Sequence, residues 1–372
     1  MRPRTIGFLT NAASSASALF IPVLAKQLQA APEQIGLIVA GFNAFALFSS
    51  FLFGRAADVR GARKILRAGL GLSAAAALTQ PLAFDPWSLL ASRAFLGFAV
   101  GMYPAALLAY AKTADRLMGK FASFGALGWA LGSVVAGAVA QVLPGTFWQV
   151  FAISSGLWFV AFLGAAARLP EEEGGMRVPF FPVAIIRRNL SVYTTMFIRH
   201  SGANMVWVVF PLYLKEALGF SDLQIGAIYA FNPVVQFAVM QGIDRVGSVR
   251  LIVAGLAGSA ATFLLIAVVR DFAAMMATQI VLGFSFATLY VGCLKFLTET
   301  NPETATAGGI FNSVMSFSSI LGPVLGGFLA ISSYTTPMYG AAAASAIALG
   351  VYLLSLSRLR AAGRVPSGPS SG

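Results

Sequence analysis

The sequence predicts an all-α membrane protein: twelve transmembrane helices arranged as two six-helix, pseudo-symmetric bundles. Three observations lead there. Hydrophobic residues make up 58% of the chain and charged residues 10%, where a soluble domain carries roughly 25% charged residues. Apolar stretches of about 20 residues, enough to cross a ~30 Å hydrocarbon core as helix, recur from one end to the other. The second half also repeats the first, at offsets that stay within a few residues of one another.

In chain order, the spans are expected at about 6–24, 35–53, 65–82, 87–110, 121–143 and 147–167, then 190–214, 223–241, 251–269, 272–297, 307–331 and 338–356. The first bundle is thus residues 1–168 and the second 190–360. Between them, 169–189 is the longest polar stretch, with Glu171, Glu172, Glu173, Arg187 and Arg188, and reads as a cytoplasmic linker. Residues 361–372 form a tail whose final Ser367 to Gly372 reads as an appended linker. Ala13 to Ala18 faintly resembles a signal-peptide cleavage region, but the segment has a counterpart deep in the second half, so it is taken as part of a span. A single cysteine, Cys293, excludes an internal disulfide framework.

Lysine and arginine set the orientation. With the N-terminus inside, inner segments carry 19 of the 25, outer loops carry Lys26, Lys215 and Arg270, and Arg93, Arg199 and Lys295 fall within spans. The bias places both termini in the cytoplasm, requires an even number of spans, and accounts for the net charge of +12 without nucleic acid. Lys295, near the inner end of its span, is expected to snorkel to the headgroups.

The repeat maps Asn11 onto His200, Pro22 onto Pro211 and Lys26 onto Lys215 at an offset of 189; Gln34 and Gly36 onto Gln224 and Gly226 at 190; Leu96 to Phe98 onto Leu282 to Phe284 at 186; and Gly132 and Gly137 onto Gly322 and Gly327 at 190. The halves therefore share one topology, as parallel repeats about an axis along the membrane normal.

Between spans two and three lies a short basic loop: Gly54, Asp58, Gly61, Arg63 and Lys64, with Val59 and Arg60 between Asp58 and Gly61. A weaker copy, Asp244, Arg245 and Gly247, follows span eight. The carboxylate of Asp58 can reach the N-terminus of a neighbouring helix, where free N–H groups and the dipole favour an anion, and Gly61 allows a tight turn. Such a contact would latch one end of the bundle. A plain positive-inside loop is the competing explanation, though it needs neither Asp nor two glycines.

This loop resembles the signature of the major facilitator superfamily, and the resemblance extends over the whole chain. Val59 departs from the pattern, with the basic residue one place later. Arg93 and Gly97 in span four resemble a motif of proton-coupled members. Gly322, Pro323, Gly326 and Gly327 resemble the Gly-Pro-x-x-Gly-Gly motif of drug–proton antiporters, but in span eleven rather than in span five, where Gly132, Ser133 and Gly137 lack the proline. The resemblance implies the major facilitator fold, alternating access, and spans one and seven facing each other across a central cavity.

Charges at mid-membrane are costly and usually functional. No Asp or Glu lies in the middle of any span, so Arg93 and Arg199 have no carboxylate there. His200, Asn204, Trp207 and Pro211 form one helical stripe, matched in span one by Asn11, Ser15, Ala18 and Pro22. Asn43 and Asn232 form a second symmetric pair, with Gln236 on the face of Asn232. These ten polar or aromatic positions (Asn11, Ser15, Asn43, Arg93, Arg199, His200, Asn204, Trp207, Asn232, Gln236) are expected to line a cavity; for any one amide, a helix–helix hydrogen bond worth roughly 0.6 kcal/mol is the plainer reading. His200, with an unperturbed pKa of about 6.5, is the first candidate proton carrier. Gly132, Gly137, Gly322, Pro323, Gly326 and Gly327 are expected at helix contacts.

The expectation is a monomeric secondary transporter in the inner membrane of a prokaryote, surrounded by lipid, with a small-molecule substrate, a proton as possible co-substrate, and no cofactor, metal or nucleic acid. Proton-coupled efflux of amphipathic compounds is one variant; carriage of an anion, resting on Arg93 and Arg199, is the other. A membrane enzyme would need a cluster of His, Asp or Glu in the spans, which is lacking; a receptor or scramblase of the same fold would have no use for the loop motif of a gating cycle.

Overall fold

A computed structural model describes residues 1–19, 21–114, 117–142, 148–168 and 175–361. The linker acids Glu171, Glu172 and Glu173, and residues 362–372, lie outside the described residues. All regular structure among the described residues is helical, and twelve helices are sixteen residues or longer. They are α1 (Pro3–Leu19), α2 (Pro32–Arg60), α3 (Ala62–Ala77), α4 (Pro86–Ala114), α5 (Met118–Val142), α6 (Trp148–Arg168), α7 (Leu190–Trp207), α8 (Asp222–Gly242), α9 (Ser248–Val268), α10 (Phe272–Thr300), α11 (Thr304–Ala330) and α12 (Thr336–Ala361). Nine are long and apolar enough to cross a bilayer when the first is counted on to Gln27; the others are α3, α7 and α8. The sixteen residues of α3 are short of a span, and α7 gives up hydropathy to Arg199, His200 and Asn204.

Helix starts and stops follow local chemistry, and they repeat. At the head of α2 the side chain of Gln34 accepts from the N–H of Ala31 at 2.9 Å, and at the head of α8 that of Gln224 accepts from Ser221 at 2.9 Å. Each is a capping glutamine at the third helical position, which explains the repeated Gln-Ile-Gly. Asp85 accepts from the N–H of Ser88 at 2.7 Å before α4, and Asp271 from Ala274 at 2.9 Å before α10. The Ser88 bonds hold the partly exposed Asp85 carboxyl below its usual range. Proline breaks one of the expected spans. Span seven stops at Trp207 and continues as Phe210–Leu212 and a π turn, Tyr213–Ala217, around Pro211. Proline removes a backbone donor and crowds the preceding turn.

By packing, the chain divides into two units. The first holds Met1–Ile185 and Asn301–Ser316; the second holds Ile186–Thr300 and Phe317–Gly372. In the first, Ile6, Leu66, Leu70, Leu96, Tyr103 and Trp158 form a core to which Ala305 also belongs. In the second, Val206, Phe210, Tyr213, Phe263, Ile266, Met275 and Met338 do the same. The repeated Leu-Gly-Phe marks close helix approach in both. A Cβ at Gly97 on α4 would fall 2.2 Å from the Phe42 carbonyl of α2, and one at Gly283 on α10 would fall 2.6 Å from Val235 of α8.

Candidate functional site

Helix α2 ends where Gly61 adopts φ 99°, a left-handed conformation that an L side chain would strain. Gly61 closes α2 and starts α3 at once, with its N–H donating to Ala57. One turn earlier, Asp58 is buried and its carboxylate meets the N-terminus of α11. It accepts from the N–H of Ala305 at 3.2 Å, the N–H of Thr306 at 2.6 Å and the Thr306 hydroxyl at 2.6 Å. Two of the three donors belong to the unpaired first turn of a helix, where the dipole also favours negative charge. Lys112 adds Nζ bonds of 2.8 Å to the Asn301 carbonyl and to the Thr304 hydroxyl.

Glycine lets the two backbones approach. A Cβ at Gly54 would lie 2.7 Å from Gly309 Cα and 2.8 Å from the Ala305 carbonyl, and one at Gly309 would lie 2.4 Å from the Ser50 carbonyl. Further along, the Ser313 hydroxyl donates to Leu47 at 2.8 Å. Arg63 reaches the Ala166 carbonyl at the end of α6 at 3.3 Å, whereas Lys64 is exposed. Sequence reasoning anticipated helix N-terminal donors for Asp58 but missed Thr306, Lys112 and Gly309. Asn301, Pro302 and Thr304 form a recognisable helix start, yet nothing local ties that start to a residue 247 positions away.

The second-half copy of the loop is built differently. Asp244 and Arg245 lie in a 3₁₀ turn, and Gly247 has φ −62° and ψ 144°, which any residue adopts. Lys295 does not snorkel. Its Nζ donates to the carbonyls of Asp244 at 2.6 Å and Val246 at 2.7 Å, tying α10 to the end of α8.

Three of the expected cavity residues are instead enclosed in the packing of their own unit, Arg93 and Ser15 in the first and Arg199 in the second. Arg93 is buried, donates to the side chain of Gln80 at 3.3 Å, and stands 4.3 Å from the centroid of Phe42. Arg199 is 2% exposed. Its Nε donates to Ser259 of α9 at 2.9 Å, and its guanidinium lies between the rings of Phe263 and Phe286 at 5.7 and 5.5 Å. One terminal nitrogen of Arg199 and Nε of Arg93 have no partner among the described residues. Ser15 is buried in the α1–α5 contact, bonded at 2.7 Å to both the Trp129 carbonyl and the Ser133 hydroxyl. A stripe on a helix identifies a face without saying which neighbour covers it.

The remaining seven stay partly exposed. Asn11, Asn43 and Asn204 each donate to the carbonyl four residues earlier, at 2.8, 3.0 and 2.9 Å, which leaves their amide oxygens uncommitted. Gln236 donates to the side chain of Asn232. Trp207 meets Phe210 and Phe263 edge-on at 5.6 and 6.5 Å. Nδ1 of His200 is buried without a partner among the described residues.

Of the packing glycines, Gly132 approaches the Ala12 carbonyl of α1, Gly322 the Cβ of Asn204, and Gly326 the Met205 carbonyl of α7; added Cβ atoms would fall at 2.2, 2.4 and 2.3 Å. Gly137 and Gly327 are not contact positions, because a Cβ at either meets nothing within 4 Å. Five residues on from Gly132 or Gly322 is about 140° round the helix, away from the partner. Pro323 sits inside α11, which continues through it.

Known proteins agree with this architecture. The family model for the Major Facilitator Superfamily matches residues 5–231 and 192–370. The Quinolone resistance protein NorA of Staphylococcus aureus (strain MRSA252) is 27% identical over 168 residues, 42% of this chain and only 42% of that relative's length. The Multidrug resistance protein MdtG of Yersinia enterocolitica is 25% identical over 361 residues, 87% of this chain and 84% of that one. The crystal structure of the human organic anion transporter MFSD10 (TETRAN) superposes with a TM-score of 0.79 at 15% identity, over 94% of this chain and 98% of that one. With the family model matched over more than half of the chain and nine helices long and apolar enough to cross a bilayer among the described residues, the chain is a multi-pass membrane protein and a member of the Major Facilitator Superfamily.

Proposed function

We propose that the protein is a secondary active exporter that carries amphipathic organic compounds out of the cell by alternating access, with protons as counter-ion and both termini in the cytoplasm of a bacterium. The observation that carries the gating part is the Asp58 carboxylate on the N-terminus of α11. A transport cycle needs a contact that is strong in one state and replaceable by water in another. A carboxylate held by hydrogen-bond donors meets both needs. The amphipathic character of the cargo is supported by the uncommitted amide oxygens of Asn11 and Asn43 in the first unit, by that of Asn204 and the partly exposed Trp207 in the second, and by relatives named for quinolone and multidrug resistance. His200, whose side chain has no hydrogen-bond partner at Nδ1 among the described residues, is the proposed proton carrier.

A second reading concerns the charge of the cargo. Arg93 and Arg199 hold positive charge in the interior, and no carboxylate answers it among their contacts. An anionic cargo would be drawn to that field, and a cationic one repelled. Proteoliposomes with an imposed pH gradient separate these readings. A fluoroquinolone, a neutral dye and an organic carboxylate are offered in turn. Gradient-driven accumulation that a protonophore abolishes supports export coupled to protons, and His200→Ala should then flatten the pH profile. Accumulation of the carboxylate alone favours the second reading. No dependence on the gradient for any of the three would end the coupled mechanism.

A further inference from the structure

The last turns of α2 line a cavity of about 150 Å³ that the transport reading does not use. Phe51, Leu52 and Phe180 form its apolar sides, with Arg55 and Arg60 beside them. Phe51, Phe180 and Phe181 make a cluster with ring centroids 6.4, 6.4 and 5.0 Å apart. Phe180 and Phe181 nevertheless remain 52% and 70% exposed. Two such rings suit an apolar medium better than water.

The arginines are held ready rather than neutralised. Arg55 donates from Nε to the Val178 carbonyl at 2.8 Å and lies 5.9 Å from the Phe180 centroid. Its two terminal nitrogens make no hydrogen bond among the described residues, and the exposed Arg60 makes none at all there. Asp58, the nearest acid in sequence, is committed to α11. Above the cavity, Phe45, Phe48, Leu52 and Arg55 fall on one stripe of α2 that runs about 15 Å along the helix. Phe45 and Phe48 are exposed. This stripe is neither the one that meets α4 through Ser49 and Phe53 nor the one that meets α11 through Ser50 and Gly54.

We infer that this groove binds one acidic phospholipid, its phosphate on the free nitrogens of Arg55 and Arg60 and an acyl chain along Leu52, Phe48 and Phe45. Guanidinium groups match phosphate geometry, and basic residues at the membrane surface recognise anionic headgroups. The cavity is smaller than the roughly 300–1,000 Å³ of a drug-sized site and fits a headgroup. A zwitterionic lipid would bring its own cation against the two arginines. The bound lipid would brace the helix end that carries Asp58.

The test is native mass spectrometry of the full-length protein released from micelles holding equal phosphatidylglycerol and phosphatidylcholine. One phosphatidylglycerol should be retained per chain in preference to phosphatidylcholine. Arg55→Gln with Arg60→Gln should lower that retention tenfold or more, and Arg60→Gln alone, which keeps the Val178 bond, several-fold. Chain-free glycerol phosphate should not compete. If the double variant does not fold, a phosphatidylglycerol with a photoreactive acyl chain should label the wild-type peptide spanning Phe45 to Leu52. Equal retention of the two lipids, indifference to the Arg60 substitution, competition by glycerol phosphate, or labelling elsewhere would overturn the inference. So would a rise in lipid retention when Glu171, Glu172 and Glu173 are all changed to Gln, since that would place the linker acids in the groove.

Discussion

Asp58→Asn removes one charge and leaves one carbonyl oxygen to face three donors on α11. At least one hydrogen bond to a charged acceptor is lost, worth about 1.5–3 kcal/mol, together with up to roughly 1 kcal/mol of interaction with the helix dipole. A neutral amide costs less to bury than a carboxylate, which offsets part of the loss. A net weakening of about 1–3 kcal/mol shifts the docked-to-undocked equilibrium by roughly 5- to 150-fold. Leu108 reports on it. It is 4% exposed and packs beneath Gly308, where an added Cβ would lie 2.8 Å from its side chain. In a Cys293→Ala background, Leu108→Cys should be labelled slowly by a charged maleimide, and at least fivefold faster when Asp58→Asn is added. Thr306→Ala, which removes only the hydroxyl donor, should give a smaller acceleration. Equal labelling of the Asp58→Asn and parent proteins, with unchanged thermal unfolding, would show that the carboxylate does not hold α11 in place.

Three other outcomes follow from the geometry. Gly54→Ala should lower both the unfolding temperature and transport, because its Cβ meets backbone at 2.7 Å, whereas Gly247→Ala, in open space with ordinary φ, should change neither. Lys295→Met should destabilise the protein by about 1–3 kcal/mol in denaturant unfolding, since two carbonyls lose a charged donor; an effect no larger than that of an exposed lysine would return Lys295 to a snorkelling role. Arg199→Lys keeps the charge but not the fork that reaches Ser259, so for an anionic cargo it should raise KM less than Arg199→Met does, and equal KM values for both variants and wild type would remove the arginine from recognition.

Much of the frame could be read from local patterns. Apolar run length reports helices, and lysine and arginine mark ends. The repeated Gln34 and Gln224 turned out to be helix caps, a contact confined to three residues. What escaped is what depends on distant partners. Asp58 advertised its need for donors, but Thr306 did not advertise its availability. Arg93, Arg199 and Ser15 were placed on the right helices and given the wrong surroundings, because a helical wheel cannot tell a face covered by a neighbouring helix from one left open. Gly137 and Gly327 were grouped with Gly132 and Gly322 by spacing in sequence, although rotation about the helix axis separates them. Lys295 was read by its depth, and its target, the backbone of a 3₁₀ turn 51 residues earlier, lay outside any motif.

The capping side chains also bear on ancestry. Glutamine and aspartate at the helix heads persist at matching places in both halves, while the interior has drifted: Ser15 stands where the other copy has Asn204, and Thr10 where it has Arg199. A gene fusion that kept the scaffolding and let the middle vary would free one copy to specialise in cargo while the other kept the carboxylate docked on a helix N-terminus.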